Sequence, residues 1–291
     1  MPFLLSDARL EALLREDAPY GDMTTLGLGI GTRPGLAMLR AGAPMTVCGV
    51  EEAERLFLLA GCETVRRFAS SGCQLEQGAE ILHAEGPAAA LHIAHRTAQV
   101  LLEVSSAVAT RARRILLAAR QGRHEIAVAC TRKHLPGAKD IMLKAVLAAG
   151  CTAHRYGLSE SILVFAQHRA FLGRVPPREW IARLRAAQPE RRIVVEAENV
   201  DEAVLLANSG VDCVQLDHMA PEQVAEAVRA IAALGRPVAV AVTGGIHEGN
   251  AAAYAAAGAQ LLVTSAPYAA PPLDVKVVVT DAPAALQKAR A

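Results

Sequence analysis

From residue 125 onward, short apolar runs recur and helix-like segments fill the spaces between them. The runs cover 126–130, 162–165, 193–196, 211–216, 238–242 and 261–264, with a further strand near 151–154. The segments at 139–149, 177–187, 200–208, 221–234 and 250–257 carry helical character. Continuous apolar strands separated by helices read as parallel strands covered by helices. Six or seven such units suit a closed or nearly closed α/β barrel better than a two-sided open sheet. The open-sheet alternative lacks a G-x-G-x-x-G after any strand. The first third is less regular. Ser6 is placed to cap a helix whose apolar positions are Leu10, Leu13 and Leu14. A turn-rich stretch at 18–25 follows, then β-like runs at 35–39 and 46–50, a helix at 51–60 and a β-like run at 79–84. A helical pattern from about 93 to 120 is long enough to join two domains.

Composition narrows the function classes. The chain has 291 residues, 30 Lys and Arg against 29 Asp and Glu, and 52% hydrophobic residues. The near-zero net charge removes the electrostatic reason to expect a nucleic-acid or membrane-surface partner. Aromatics at 3% leave no stock of base-stacking side chains, so the core is built from Ala, Leu, Val and Ile. Six scattered cysteines without a C-x-x-C pair read as reduced and mostly buried. The uncharged stretch 249–273 contains Gly, Pro, Asn and Gln, which argues against a spanning helix. No signal peptide is recognised, so a cytoplasmic location is expected.

In α/β barrels the chemistry gathers at the C-terminal ends of the strands. Here those ends carry Thr131, Arg132 and Lys133, then His154 and Arg155, then Glu196 and Glu198, then Asp217 and His218. The last two runs end in Thr243-Gly244-Gly245 and Thr264-Ser265. A strand running into two glycines and a helix offers backbone N–H groups to a phosphate, or simply permits a tight turn. The cations suit a polyanion such as a dicarboxylate, with ordinary surface charge as the plain alternative. Glu196 and Asp217 suit Mg²⁺ held partly by substrate phosphates, or salt bridges to the nearby arginines. His168, His218 and His247 read as capping or surface residues, and Cys130 and Cys213 as core.

Gly21-Asp22-Met23-Thr24-Thr25, His95-Arg96-Thr97-Ala98, Thr131-Arg132-Lys133-His134-Leu135-Pro136-Gly137, His154-Arg155-Tyr156-Gly157-Leu158, Glu196-Ala197-Glu198-Asn199, Leu216-Asp217 and Gly244-Gly245-Ile246 occur in this order. On these motifs the chain resembles the quinolinate phosphoribosyltransferase family (nicotinate-nucleotide pyrophosphorylase, carboxylating), nearest its ModD-type branch associated with molybdenum transport. The resemblance implies an N-terminal α/β sandwich domain, 1–104 with the tail 272–291, and an incomplete α/β barrel, 105–271, working as a homodimer. It implies transfer from 5-phosphoribosyl-1-pyrophosphate (PRPP) to quinolinate or a related aromatic carboxylate, with Mg²⁺, releasing pyrophosphate and carbon dioxide. By position, Arg132, Lys133, Lys139, His154 and Arg155 match residues at the acceptor, and Arg96 an arginine supplied by the partner subunit. Glu196 and Asp217 match carboxylates facing the ribose and metal, catalytic together with Lys133. Thr243, Gly244, Gly245, Thr264 and Ser265 match the phosphate loops.

The chain also departs from the family pattern. A lysine expected eleven residues after His154 is Phe165, Lys139 stands for an arginine, and Ser265 for a glycine. These changes imply a kept barrel and an altered acceptor pocket, in which Phe165 either stacks on an aromatic acceptor or packs as core. Three alternatives follow. One is a PRPP-dependent enzyme with a different acceptor; another is a non-catalytic oxyanion-binding protein on the same fold. The third is a Schiff-base enzyme using Lys133 or Lys144.

Overall fold

Seven short parallel strands form the larger sheet of the computed structural model, which describes residues 3–281. In spatial order they are Thr152–Ala153, Ala127–Cys130, Leu261–Thr264, Ala239–Thr243, Cys213–Asp217, Ile193–Ala197 and Ile162–Val164. Thr152–Ala153 and Ile162–Val164 follow one another in the chain yet stand at opposite edges. The barrel is therefore incomplete, as the resemblance implies and short of the closure that the strand count alone allows, and residues 154–161 connect its two free edges. Its interior is built from small and branched residues: Cys213, Ala241 and Val263 pack with Val194, Ala239 and Leu261. Helices follow the strands for local reasons. Asn199 caps Val200–Asn208 by accepting from the Glu202 N–H at 2.9 Å. Pro221–Ala232 has proline at its first position and buries Val224, Ala227 and Ile231 on one face.

The described residues fall into two compact units. The first comprises 3–110, 135–150 and 269–281, the second 111–134 and 151–268. The 35-residue helix Ala88–Gly122 thus runs from one into the other. In the first unit, a four-stranded antiparallel sheet has the order Val275–Asp281, Pro34–Ala41, Glu80–Pro87, Thr64–Arg67. The helices Asp7–Asp17 and Val50–Ala60 bury Leu10, Leu14, Leu56 and Phe57 in its core. The expected tail strand is present and pairs Met38 with Val278, whereas residues 282–291 of the tail call lie outside the described residues.

Some elements differ from the sequence reading. The run 46–50 yields only the strand Met45–Thr46. The Cys48 N–H donates instead to Ser106 Oγ at 3.0 Å, and its carbonyl accepts from Ser105 Oγ at 2.8 Å. Part of the turn-rich stretch is the helix Met23–Leu28, capped by the Asp22 carboxylate. The strand Thr64–Arg67 escaped detection because its exposed Arg66 and Arg67 break the apolar pattern. The helix Lys139–Ala148, expected to cover a barrel strand, packs in the first unit, where Ile141 joins the core. Among the described residues, no helix is long and apolar enough to cross a membrane.

Candidate active site

Parallel pairing brings the strand ends of the barrel to one rim. Asp217 is level with Thr243, Thr264 with Cys130, and Cys130 with Ala153. A cavity of about 440 Å³ opens there, lined by Thr131, Lys133, Thr243, Gly244, Gly245, Thr264 and Ser265 among others. Gly244 and Gly245 have φ of +92° and +69°, a backbone that favours glycine. A Cβ on Gly244 would lie 2.7 Å from the His218 backbone nitrogen, whereas a Cβ on Gly245 would meet nothing within 4 Å. The N–H groups of both glycines make no backbone hydrogen bond among the described residues. Asn250 braces the turn, donating to the Gly245 carbonyl at 2.9 Å and accepting from the His247 N–H at 2.8 Å.

Two expectations about this loop are corrected. The following helix is only Ala251–Ala256, starting six residues after Gly245, so its dipole does not serve the glycines. The donors left to this loop are its own glycine N–H groups. Thr264 is buried, and its hydroxyl donates to the Ile246 carbonyl at 2.7 Å and accepts from the Ala266 N–H at 3.0 Å. It braces two loops rather than offering a free donor.

The cations divide. Lys133 lines the glycine-loop cavity. Burial first, then the charge of Arg132, lowers the Arg155 pKa. The Arg155 guanidinium carbon sits 5.6 Å from the Phe165 ring centroid. His154 is pushed down to about 4, mainly by burial and then by Arg155, so it is neutral at physiological pH.

Glu196 and Asp217 project from neighbouring strands. Burial, then the Asp217 charge, raises the Glu196 pKa. The salt-bridge alternative is not what forms. The ion pairs of this unit are Arg111–Glu248, Arg169–Glu202, Arg185–Asp212 and a 3.8 Å contact between Asp217 and His218. Arg132, Lys133, Arg155 and Glu196 take part in none of them. Among the described residues no three His, Cys, Asp or Glu side chains form a metal cage. Two mutually repelling carboxylates instead fit a hard dication that completes its shell with water and substrate oxygens, as Mg²⁺ does.

Two residues at this rim were missed, and a third, placed there by the sequence, has a backbone feature that the sequence does not mark. Gln215 is buried between strands, and its Nε2 donates to Glu196 Oε1 at 3.3 Å while the side chain favours the protonated form of His154. Its signal was period-2 alternation with Asp217. Arg111 lines the cavity from the long helix, where no spacing marks it. His218 was read as a surface residue; it is exposed, but its φ of +54° is the one positive value at a non-glycine among the described residues. Arg96 and Lys139 belong to the first unit. Arg96 donates to Gln99 Oε1 at 2.9 Å, and Lys139 opens the helix Lys139–Ala148. Lys144 is not a free amine: it is fully buried against Glu52, with Nζ 2.7 Å from both carboxylate oxygens. That removes it as a Schiff-base nucleophile.

Comparison with known proteins agrees with this geometry. A family model described as quinolinate phosphoribosyl transferase, C-terminal domain, matches residues 108–278, and the corresponding N-terminal domain matches 22–106. The chain is 45% identical over 250 residues to a protein named "Putative pyrophosphorylase ModD" from Rhodobacter capsulatus, covering 86% of this chain and 96% of the relative. It is 31% identical over 250 residues to human nicotinate-nucleotide pyrophosphorylase [carboxylating], covering 86% and 83%. The crystal structure of NadC from Streptococcus pyogenes superposes with a TM-score of 0.87 at 26% identity, covering 96% of this chain and 99% of that one.

Proposed function

The chain belongs to the quinolinate phosphoribosyltransferase family, a family of pentosyltransferases, and from that premise we propose that it transfers phosphoribose from PRPP to quinolinate or a related aromatic carboxylate. The observation that carries this reading is the strand-end rim. Cations without a carboxylate partner, two carboxylates without an Arg or Lys partner, and loop N–H groups without a backbone acceptor occur at these strand ends among the described residues, a combination that folding alone does not require.

The roles follow from chemistry. Gly244 and Gly245 offer N–H groups to the 5′-phosphate, with Lys133 and Thr131 on the wall of the same cavity. Arg132 and Arg155 hold the acceptor carboxylate, and neutral His154 supplies an uncharged hydrogen-bonding group beside them. As pyrophosphate leaves, positive charge grows on the ribose, and Glu196 and Asp217 stabilise it. Glu196 and Asp217 would also hold Mg²⁺, which when bound offsets charge on the departing pyrophosphate. Decarboxylation, a homodimer in which Arg96 reaches the partner's site, a role for Lys139 at the acceptor, a cytoplasmic location and the association with molybdenum transport belong to the same reading. All but the cytoplasmic location rest on the likeness to the family.

The test is Mg²⁺-dependent pyrophosphate release from PRPP in the presence of quinolinate and other aromatic acids, beside Asp217→Asn. Acceptor-dependent release that falls by about 10²–10³-fold in the variant is expected. Release indifferent to Asp217→Asn, or no release with any acid, would overturn the reading.

A further inference from the structure

Gln215 is the polar residue that the barrel interior least explains. Cys213, Gln215 and Asp217 alternate along the strand Cys213–Asp217 and so share one face. On that face Cys213 packs with Ala241 and Val263, a layer of small apolar side chains. Gln215 is next towards the rim and only 3% exposed. Its Oε1 is buried and meets no donor at hydrogen-bonding geometry among the described residues. A buried carbonyl without a partner is costly, and methionine, of similar size, would fill the space without that cost.

Register shows what the amide does. Gln215 lies directly opposite Glu196 on the neighbouring parallel strand, and its Nε2 donates to Glu196 Oε1 at 3.3 Å. Glu196 Oε2 makes no hydrogen bond or ion pair among the described residues. One oxygen of this carboxylate is therefore tied and the other is left for a ligand. A glutamate that is not fully buried is free to rotate, and a donor from a packed neighbour removes much of that freedom. The strand that carries Asp217 thus also carries, two residues earlier, the group that orients the other carboxylate of the rim.

We propose that Gln215 is a positioning residue for Glu196: it holds the carboxylate in the orientation that receives the ribose and Mg²⁺ of PRPP. The proposal rests on the transferase reading for the identity of that ligand, and its test needs no turnover.

The experiment is a double-mutant cycle on the full chain: wild type, Gln215→Met, Glu196→Ala and the double variant. Each is titrated calorimetrically with PRPP in the presence of Mg²⁺ and no acceptor. A separate titration with inorganic phosphate probes the glycine loop alone. Gln215→Met is expected to weaken PRPP binding by roughly 3–10-fold, with a thermal midpoint unchanged or raised. In the Glu196→Ala background the same change should cost less than about twofold, because the carboxylate it acts through is gone. Affinity for inorganic phosphate should stay within about twofold of wild type. Three results would overturn the proposal: unchanged PRPP affinity in Gln215→Met, a loss that adds in full to that of Glu196→Ala, or an equal loss for inorganic phosphate. Gln215→Leu takes the place of Gln215→Met if the latter does not fold; failure of both to fold defeats the proposal, since the amide would then serve the fold. The expected cycle without pyrophosphate release from any aromatic acid would sink the transferase reading alone. A wild type that does not bind PRPP would bring down both.

Discussion

Two charged clusters in this chain obey opposite rules. In the first unit, Lys144 is buried with Glu52 at 2.7 Å and Glu51 at 3.1 Å. Every remaining demand there is met: Glu52 also accepts from the Leu5 N–H, and Glu51 from the Ser71 N–H and hydroxyl. On the barrel rim, Arg132, Lys133 and Arg155 have no carboxylate within salt-bridge distance among the described residues. Glu196 there carries a raised pKa, from burial and then Asp217, rather than a cation. A fold answers the charges it buries for its own sake, because an unanswered buried charge costs several kcal/mol. Charges left unanswered on one rim are reserved for something that arrives later.

Exchanging the lysines tests that contrast most severely. Lys144→Met leaves the Glu52 carboxylate buried without its cation and should cost about 3–5 kcal/mol. Lys133→Met removes an exposed, unpaired charge and should change stability by less than about 0.5 kcal/mol while weakening PRPP binding. Urea unfolding of both variants, with PRPP titration of the second, measures this. Equal destabilisation by the two would erase the distinction between the clusters.

The same distinction explains what could be read in the sequence. The barrel was legible because each strand is a continuous apolar run, and the rim because its charges directly follow those runs. Lys144 was not, since nothing local distinguishes a lysine aimed at a distant Glu52 from an exposed one; only tertiary packing of Lys139–Ala148 does. Arg111 lay hidden in a helix with a full complement of arginines. Gln215 was legible in principle, as a polar residue inside an apolar strand two positions before Asp217. Thr264 was correctly placed at the rim, but its hydroxyl partners depend on the path of two loops. Spacing reports the position of a side chain along its strand, and the partner it meets is decided elsewhere in the chain.

A smaller effect sharpens the rim itself. Gly245→Ala places a side chain at φ +69° with open space around it, a cost of about 1–2 kcal/mol from backbone conformation alone. Gly244→Ala pays for its backbone and must also displace His218, whose backbone nitrogen and ring lie 2.7 Å from the new Cβ. Affinity for inorganic phosphate should therefore fall further in Gly244→Ala than in Gly245→Ala. Equal losses would mean that the close approach of His218 does not shape the loop.

The smallest effect carries the clearest sign. Burial, then the neighbouring Asp217 charge, raises the folded pKa of Glu196 above its ordinary 4.5. The folded state then holds the proton more firmly than the unfolded chain does. The resulting stability is complete below pH 4.5 and is lost as pH rises through the folded value. At neutral pH, wild type carries an ionised carboxylate that its fold disfavours. Glu196→Gln removes that charge and keeps an oxygen able to accept from Gln215 Nε2. The variant should be more stable than wild type at pH 7, by under about 1 kcal/mol because the group is partly solvated. The gain should vanish below pH 4.5, while pyrophosphate release is lost throughout. Thermal midpoints of both proteins across this range decide it. A variant less stable at neutral pH would mean that the fold already answers the Glu196 charge, and the rim would join Lys144 among the clusters that serve stability.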